Sequence, residues 1–377
     1  MKKWPALSLT VIFICVFLQV GKGSPLIRLD SSGLEMFWRV VSVLEKDLNP
    51  SAEQWDSLFR TPGYAILTKS EFKREFFTEK FALVFMPSKA AELNIALDNA
   101  DDWEKRYLRH YLRVKSLKKS IQAHVRKLDS DPLFRRASQM ALSFIPAKGI
   151  ADYPAVAFLV FEPDARGYSP VVIDALMSMD KGPDLVYLLA HEFHHFFRNQ
   201  VLVFDPEKAD PEDEDILWVI NQLQGEGIAD QINMRRWMDD GERFKLNEPE
   251  YLKLHEKSPE IIRAMDVLFA QIDQSPEMKK ELGRRIRKML PWSGHPTGFY
   301  MANRIRDQLG SETLVRGVGD PFSFFSLYKT AADNSGDNRA SLSEATVHIV
   351  HTLSNKYVGK YELHGSSASC LNRADEP

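Results

Sequence analysis

Five consecutive residues, His191-Glu192-Phe193-His194-His195, combine side chains that bind metals with one that moves protons. His191 and His195 are four residues apart, so on a helix both imidazoles project from one face, about 6 Å apart along the axis. Two imidazoles placed in this way can bind one zinc ion at about 2.0–2.1 Å each. Glu192 lies one step round the helix, where its carboxylate can take a proton from water activated by the metal. We interpret His194 as a packing or hydrogen-bonding residue.

A second motif downstream can complete the metal site. A catalytic zinc site has three protein ligands and one open position. Glu226 and Asp230 are four residues apart, hence on one helix face. Glu226 can complete a His, His, Glu ligand set, or it is a solvated helix carboxylate. Asp230 can accept the outer N–H of a liganding histidine. Gly225 and Gly227 each cost a helix about 1 kcal/mol, which indicates close approach of the two helices.

His191–His195 followed by Glu226-x-x-x-Asp230 resembles the gluzincin group of zinc metallopeptidases. Within that group the chain most resembles a zinc-dependent peptidase family catalogued mainly from sequence. Ser51–Tyr64 (SAEQWDSLFRTPGY) also resembles that family, so the resemblance covers most of the chain. It implies a zincin-like core with a small sheet, a substrate-binding edge strand, a motif helix and a glutamate helix. The chain has no Gly-Ala-Met-Glu-Asn exopeptidase motif, which argues against the aminopeptidase branch.

Peptide hydrolysis also needs a group that stabilises the oxyanion of the tetrahedral intermediate. We predict His295, in a loop, and Tyr300, in the first turn of a helix that continues to Leu309, as the two catalytic candidates. The alternative for both is structural. His295 is then a loop residue, and Tyr300 packs with a satisfied hydroxyl.

The hydropathy pattern predicts the elements that position these residues. Apolar residues recur at helical spacing over 31–48, 102–128, 185–200 and 216–239, the last capped by Gly241. A further helix begins at Ser51 and ends at Pro62-Gly63. Continuous apolar runs predict strands over 81–86, 154–161 and 171–175, and either of the last two can form the edge to which a peptide adds. The predicted fold class is α+β, mainly helical, with a small sheet.

The N-terminal segment is typical of a secretory signal peptide. Lys2 and Lys3 precede an apolar run over 4–20, and small residues follow around Gly23. We therefore predict a signal peptide over 1–23, a single metallohydrolase domain over 24–365 and a flexible tail over 366–377. The protein is then exported, periplasmic or secreted. If the segment is retained instead, it anchors the protein to a membrane. No other segment of the sequence is long and apolar enough to cross a bilayer.

Composition limits the possible partners. The chain has 377 residues with 49 Lys+Arg against 52 Asp+Glu, a net charge of −3, and no basic excess that favours nucleic acid. Loss of residues 1–23 leaves a net charge of −6 and one cysteine, Cys370. With no thiolate pair available, zinc must be held by histidine and carboxylate.

These observations predict an exported zinc metallopeptidase that acts on a peptide or protein substrate. His191, His195 and Glu226 hold one zinc ion, and Glu192 is the general base. A different class of function is a non-catalytic exported protein whose metal is lost or structural, the structural site being closed by four protein ligands. A zinc hydrolase acting on non-peptide amides would share the same site. Neither cleavage specificity nor oligomeric state follows from the sequence.

Overall fold

Amphipathic helices make up most of the protein, and a small sheet connects its N-terminal and central parts. The computed structural model describes residues 27–128, 130–147, 149–336 and 340–359. The predicted signal peptide and C-terminal tail lie outside the described residues, as do Cys15 and Cys370. The predicted fold class, α+β and mainly helical, is confirmed. None of the described helices is long and apolar enough to cross a bilayer.

The N-terminal part of the chain folds into helices that bury an aromatic cluster. Their bounds are α1 Ser32–Leu44, α2 Ala52–Phe59, α3 Pro62–Ser70, α4 Arg74–Phe85, α5 Ala90–Asn99, α6 Asp102–Ser116, α7 Lys118–Lys127 and α8 Ser130–Leu142. Ser51 begins α2 with a capping box, in which Ser51 Oγ accepts from the Gln54 N–H and the Gln54 side chain accepts from the Ser51 N–H. Pro62 does not simply end α2, because it occupies the first turn of α3, where a missing N–H costs nothing.

The strand predicted over 81–86 is wrong, because these residues form the last turns of α4. All of the run except the half-buried Ala82 is buried, and six apolar residues are too few to separate a buried helix from a buried strand. Phe81 packs edge-on against Phe37 of α1 with ring centroids 5.0 Å apart. Pro87 forces Met86 into an extended conformation and so ends the helix. The basic helix predicted over 102–128 is divided into α6 and α7 at Leu117.

The sheet has the strand order β1-β2-β4-β3, with bounds β1 Leu29–Asp30, β2 Val156–Leu159, β3 Ala165–Arg166 and β4 Val171–Asp174. β1 and β4 run parallel to β2, and β3 pairs antiparallel with β4. The two predicted strands over 154–161 and 171–175 are therefore present, but as the inner strands. The expectation that either forms the edge is wrong: β3, in a segment of turn residues between them, is the edge on that side.

Helices α9 to α20 form the central and C-terminal parts of the protein. Their bounds are α9 Ala175–Lys181, α10 Leu185–Gln200, α11 Glu214–Asn233, α12 Arg235–Met238, α13 Gly241–Asn247, α14 Pro249–Glu256, α15 Ser258–Gln274, α16 Lys279–Met289, α17 His295–Leu309, α18 Ser311–Arg316, α19 Pro321–Asn334 and α20 Glu344–Tyr357. The helix predicted over 216–239 thus ends at Asn233. Gly241 does not cap it but begins α13, whose N-cap Asp240 accepts from the Arg243 N–H.

Helix α11 is central to the packing of the C-terminal half. It lies against α10 on one side and against α17 and α16 on others. Helix α10 is anchored in turn on α8, where the Phe193 ring packs edge-on against Phe134 at 6.2 Å. Buried apolar side chains from Ile27 to Tyr357 join one large core cluster. The two helices that carry the sequence motifs are therefore packed side by side, and α17 crosses the second of them.

Candidate metal centre

Helix α10 presents the two motif histidines toward α11. It has the bounds predicted from the sequence, because its apolar residues, including Phe193 and Phe197, face the core on the opposite side. His191 Nε2 and His195 Nε2 are 3.0 Å apart. Glu192 is buried beside them, at 7 % exposure. One turn of helix therefore supplies two adjacent imidazole nitrogens and a carboxylate.

Helix α11 brings Glu226 to the same point. Its Oε2 lies 3.1 Å from His195 Nε2 and 3.4 Å from His191 Nε2. Three donors bound to one zinc ion at about 2.0–2.1 Å in tetrahedral geometry lie about 3.3 Å from one another. The separations between His191, His195 and Glu226 are close to that value. The structure thus brings together the three predicted ligands at the spacing that zinc requires.

His295 joins this cluster, although the sequence predicted it in a loop. It is the first residue of α17, which follows a tight turn over 291–294. Its Nε2 lies 3.1 Å from Glu226 Oε2, and its ring lies parallel to that of His191 at 5.4 Å. Ligand atoms of His191, Glu226 and His295 all lie within 4.8 Å of one another. His295 is therefore placed among the potential ligands rather than at a distance from them.

The Asp230 carboxylate faces the Nδ1 atoms of His191 and His295, on the side of each ring away from Glu226. Its Oδ2 lies 3.1 Å from His295 Nδ1 and accepts a hydrogen bond from the Tyr251 hydroxyl at 2.5 Å. Its Oδ1 lies 3.4 Å from His191 Nδ1, which is also 3.4 Å from Asn233 Oδ1. A neutral imidazole that donates from Nδ1 has a lone pair on Nε2, and this pair can only accept or bind a metal. Asp230 therefore favours the tautomer that ligation needs.

The donor set fits a zinc ion. Glu226 Oε2 is fully buried and receives no well-aligned hydrogen bond from a described residue, although three imidazole nitrogens lie within 3.4 Å. Leaving a buried carboxylate oxygen in that state is costly unless a cation pairs with it. Imidazole nitrogen and carboxylate oxygen are among the ligands that zinc prefers. The chemistry of the cluster therefore fits a divalent metal.

The carboxylates and imidazoles of the cluster shift one another's pKa values. Burial lowers the pKa of His295, but Glu226 and Asp230 outweigh it and raise the pKa to about 9. The same carboxylates raise the pKa of His191 well above its usual value against the effect of burial. Burial opposes ionisation of Glu226, but His195 and His295 hold its pKa well below the usual range. Burial raises the pKa of Glu192, which suits a group that must both take and return a proton.

Gly167 places the chain that follows the edge strand directly against α10. A Cβ at Gly167 would lie 2.6 Å from His195 Cβ and 3.0 Å from the Glu192 carbonyl oxygen, so only glycine allows this approach. Arg166, the last residue of β3, forms ion pairs with Glu71 and Glu162. The edge of the sheet is therefore fixed against the helix that carries the motif.

The remaining predicted residues lie elsewhere. His194 is fully buried, and burial lowers its pKa well below the usual value, in keeping with a packing residue. The Tyr300 hydroxyl accepts hydrogen bonds from Arg304, and its ring lies 5.6 Å from that of His255. These contacts tie Tyr300 to its own helix and to α14 rather than to the cluster. Sequence reasoning missed Tyr251, and nothing in its local pattern distinguishes it from a core tyrosine.

A sequence model of the family described as "Putative zinc dependent peptidase (DUF5700)" matches residues 55–337, well over half of the chain. The matched range contains every residue of the cluster. No curated protein matches the chain, and no solved structure does.

Proposed function

This chain belongs to the family described as "Putative zinc dependent peptidase (DUF5700)", and we propose that it is a zinc-dependent metallopeptidase. One observation carries the proposal: Nε2 of His191, Nε2 of His195 and Oε2 of Glu226 lie 3.0–3.4 Å from one another, with Glu192 buried beside them. This is a ligand set together with a base, brought together from two packed helices.

His191, His195 and Glu226 would hold the metal, and Asp230 would hold the His191 ring in the ligating tautomer. When bound, zinc supplies a Lewis acid that polarises the scissile carbonyl and makes water more acidic. Glu192 takes a proton from the water that attacks the carbonyl carbon. It then delivers that proton to the amide nitrogen as the C–N bond breaks, so the products are a carboxylic acid, which keeps the second proton of the water, and an amine. The raised pKa of Glu192 favours this return of the proton.

The sheet edge offers a place for an extended peptide. β3 forms one edge of the sheet, and the chain after it touches α10 at His195 through Gly167. A peptide that added to this edge by backbone hydrogen bonds would run alongside the motif helix. This supports a peptide or protein as the substrate over a small amide.

A second candidate function has its own supporting observation. His295 Nε2 is as near to Glu226 Oε2 as His195 Nε2 is, 3.1 Å in each case. Four protein ligands close a zinc site, as in structural sites. A non-catalytic protein with a structural metal is therefore the alternative to the peptidase.

The test is the Glu192→Gln variant of the zinc-loaded protein on a peptide library. We expect it to bind one zinc ion, because Glu192 is not a ligand, and to lose about 10²- to 10⁴-fold in cleavage rate. Glu312→Gln, an exposed substitution of the same type, is the matched control and should cleave normally. A wild-type protein that binds stoichiometric zinc and cleaves no peptide supports the structural alternative. Full activity in Glu192→Gln would overturn the assignment of the base.

We also propose that the protein is exported, on the basis of residues 1–23. N-terminal sequencing of the protein recovered outside the cytosol should then begin at Ser24. A protein that retains residues 1–23 and stays with the membrane fraction would favour the anchored form instead.

A further inference from the structure

His295 has the geometry of a metal ligand rather than that of a residue near the metal. Its Nε2 lies 3.1 Å from Glu226 Oε2, the oxygen that His191 and His195 also face. It also forms, with His191 and Glu226, a set whose ligand atoms lie within 4.8 Å of one another. Two overlapping ligand sets therefore share His191 and Glu226, one completed by His195 and the other by His295.

The other side of the His295 ring is held as ligating histidines are held. Nδ1 lies 3.1 Å from Asp230 Oδ2, and the same carboxylate lies 3.4 Å from Nδ1 of His191. One carboxylate thus orients both rings, which lie nearly parallel, with an interplanar angle of 16°. A histidine that only donated to an oxyanion would need a proton on Nε2, whereas this arrangement favours the proton on Nδ1.

A strained turn directly before His295 places its side chain next to Glu226. Trp292, Ser293 and Gly294 have φ values of 47°, 52° and 93°, three consecutive residues in the left-handed region. Tryptophan and serine rarely adopt it, and such strain persists where the surroundings impose it, often at functional sites. The turn is held by α11, where a Cβ at Gly294 would contact Leu223 at 3.4 Å, and by the Tyr251 ring, 5.8 Å from that of Trp292.

His295 is also the histidine of the cluster that can most easily leave. Its side chain is 30 % exposed, against 5 % for His191 and 17 % for His195. It comes from a helix terminus after a strained turn, whereas the other two are fixed in the middle of α10. A substrate entering from solvent therefore meets His295 first.

We propose that His295 is a fourth metal ligand that closes the site in the resting protein and gives way when substrate binds. The proposal rests on the proposed function, since it concerns the same zinc ion. It accounts for a site that has both a closed set of donors and an adjacent base. The closed form would protect the peptide-cleaving centre until a substrate or another metal-binding group displaces His295.

X-ray absorption of the zinc-loaded wild-type protein counts the imidazoles bound to the metal. We expect three in the wild type and two in His295→Ala, with His351→Ala, an exposed histidine variant, keeping three. Adding acetohydroxamate, which binds zinc through two oxygens, should reduce the wild-type count from three to two. Two imidazoles in the wild type would overturn the proposal, and three that persist with acetohydroxamate would overturn the exchange.

Binding measurements test the same point without relying on spectra. Acetohydroxamate should bind His295→Ala at least about tenfold more tightly than wild type, because it no longer competes with an internal ligand. Equal affinities would contradict the proposal. His195→Ala should still bind one zinc ion through His191, Glu226 and His295, and the double variant His195→Ala/His295→Ala should not. Circular dichroism of each variant checks that it is folded.

Failure of this proposal and failure of the proposed function give different results. A wild-type protein that binds no stoichiometric zinc contradicts both. A wild-type protein that binds zinc through two imidazoles and cleaves peptides keeps the proposed function and removes only the role of His295.

Discussion

At the scale of single residues, one carboxylate that is not among the proposed ligands contacts several members of the cluster. Asp230 is fully buried and faces His191, His295 and Tyr251 at once. Groups that orient ligands in this way are typically responsible for 10- to 100-fold in metal affinity. Because Asp230 contacts two imidazoles, its removal should disturb the orientation of both rings.

Asp230→Asn tests this role. The amide keeps the shape of the side chain but removes the charge that favours the Nδ1–H tautomers, so we expect zinc affinity to fall by about 10- to 100-fold. Competition with a chelating dye measures the affinity. Tyr251→Phe removes only one hydrogen bond to Asp230 and should cost less. Asp239→Asn, an exposed residue that caps the C-terminus of α12, is the control and should bind zinc normally. An unchanged zinc affinity in Asp230→Asn would show that the Asp230 charge is not needed to orient the histidine rings.

Zinc binding should release protons near neutral pH. In the metal-free protein the pKa of His295 is raised to about 9, so its ring is protonated near pH 7, and the pKa of His191 is raised as well. Ligation needs the neutral rings, so binding displaces at least one proton. Titration calorimetry in buffers of different ionisation enthalpy measures the number. A binding enthalpy that does not depend on the buffer would contradict this prediction.

The raised pKa of His295 also contributes a pH dependence to the stability of the metal-free fold. A folded-state pKa above the unfolded value means that protonated His295 contributes stability below the usual histidine pKa. That contribution is lost as the pH rises through about 9. The free energy of unfolding of the metal-free protein should therefore fall over that range, and added zinc should remove the dependence.

At the scale of elements, two glycines set the crossing of α11 and α17. A Cβ at Gly227 would lie 2.3 Å from the Gly298 carbonyl oxygen, and a Cβ at Gly298 would lie 2.3 Å from the Leu223 carbonyl oxygen. Both contacts involve backbone, which cannot rotate away. The sequence indicated close approach at Gly225 and Gly227 between the two motif helices. The close approach is at Gly227 only, and it is to α17.

Gly227→Ala should therefore destabilise the protein by about 3 kcal/mol or more, since the helices must separate to admit the methyl group. Gly225→Ala, two residues earlier in the same helix, is the matched control. Its Cβ would meet the Arg198 guanidinium at an ordinary 3.6 Å, so it should gain up to about 1 kcal/mol from helix propensity. Urea unfolding measures both, and similar values for the two variants would argue against the close crossing. We also expect Gly227→Ala to weaken zinc binding, because Glu226 is its neighbour.

Long amphipathic segments were predictable from sequence, and short apolar ones were not. The bounds of α10 follow from a sustained period of apolar residues, and the spacing of His191, Glu192 and His195 follows from helix geometry. The run over 81–86 lacks the length to show a period, so its helix was missed. The position of His295 depends on the turn over 291–294. Of the three left-handed residues in this turn, only Gly294 is of a type that predicts that conformation from sequence. The ligand assignments themselves stay predictions until a metal is measured.

At the scale of the whole molecule, the cluster draws on helices that are distant in sequence. His191 and His295 are about a hundred residues apart in the sequence. The helices that carry the histidines, α10 and α17, both pack on α11, which carries Glu226. The core behind them includes segments outside the range matched by the family, 55–337. Phe37, Val40, Val41 and Leu44 of α1 are all fully buried.

A chain cut to residues 55–337 should therefore fail to unfold cooperatively. Each fully buried large apolar side chain contributes about 1.5–3 kcal/mol, so four from α1 are together comparable with the whole free energy of unfolding of a typical protein. A chain of residues 27–359 keeps every described element and should unfold in one transition. Thermal unfolding followed by circular dichroism separates the two. A cooperative transition in the shorter chain would show that β1, α1, the start of α2 and α20 are dispensable.

The contact between Gly227 and Gly298 has a consequence for how this protein can change over time. Glu226 is the neighbour of one glycine, and His295 lies one turn before the other, so this backbone contact fixes how far apart the chain segments that carry the two donors lie. Side chains of both helices that touch neither this contact nor the cluster should then be free to change without moving those segments. Lineages descended from this chain should then tolerate wide divergence in the two helices around an unvarying glycine pair. A search that requires both glycines at this spacing from the histidine motif would find distant relatives that overall identity would miss.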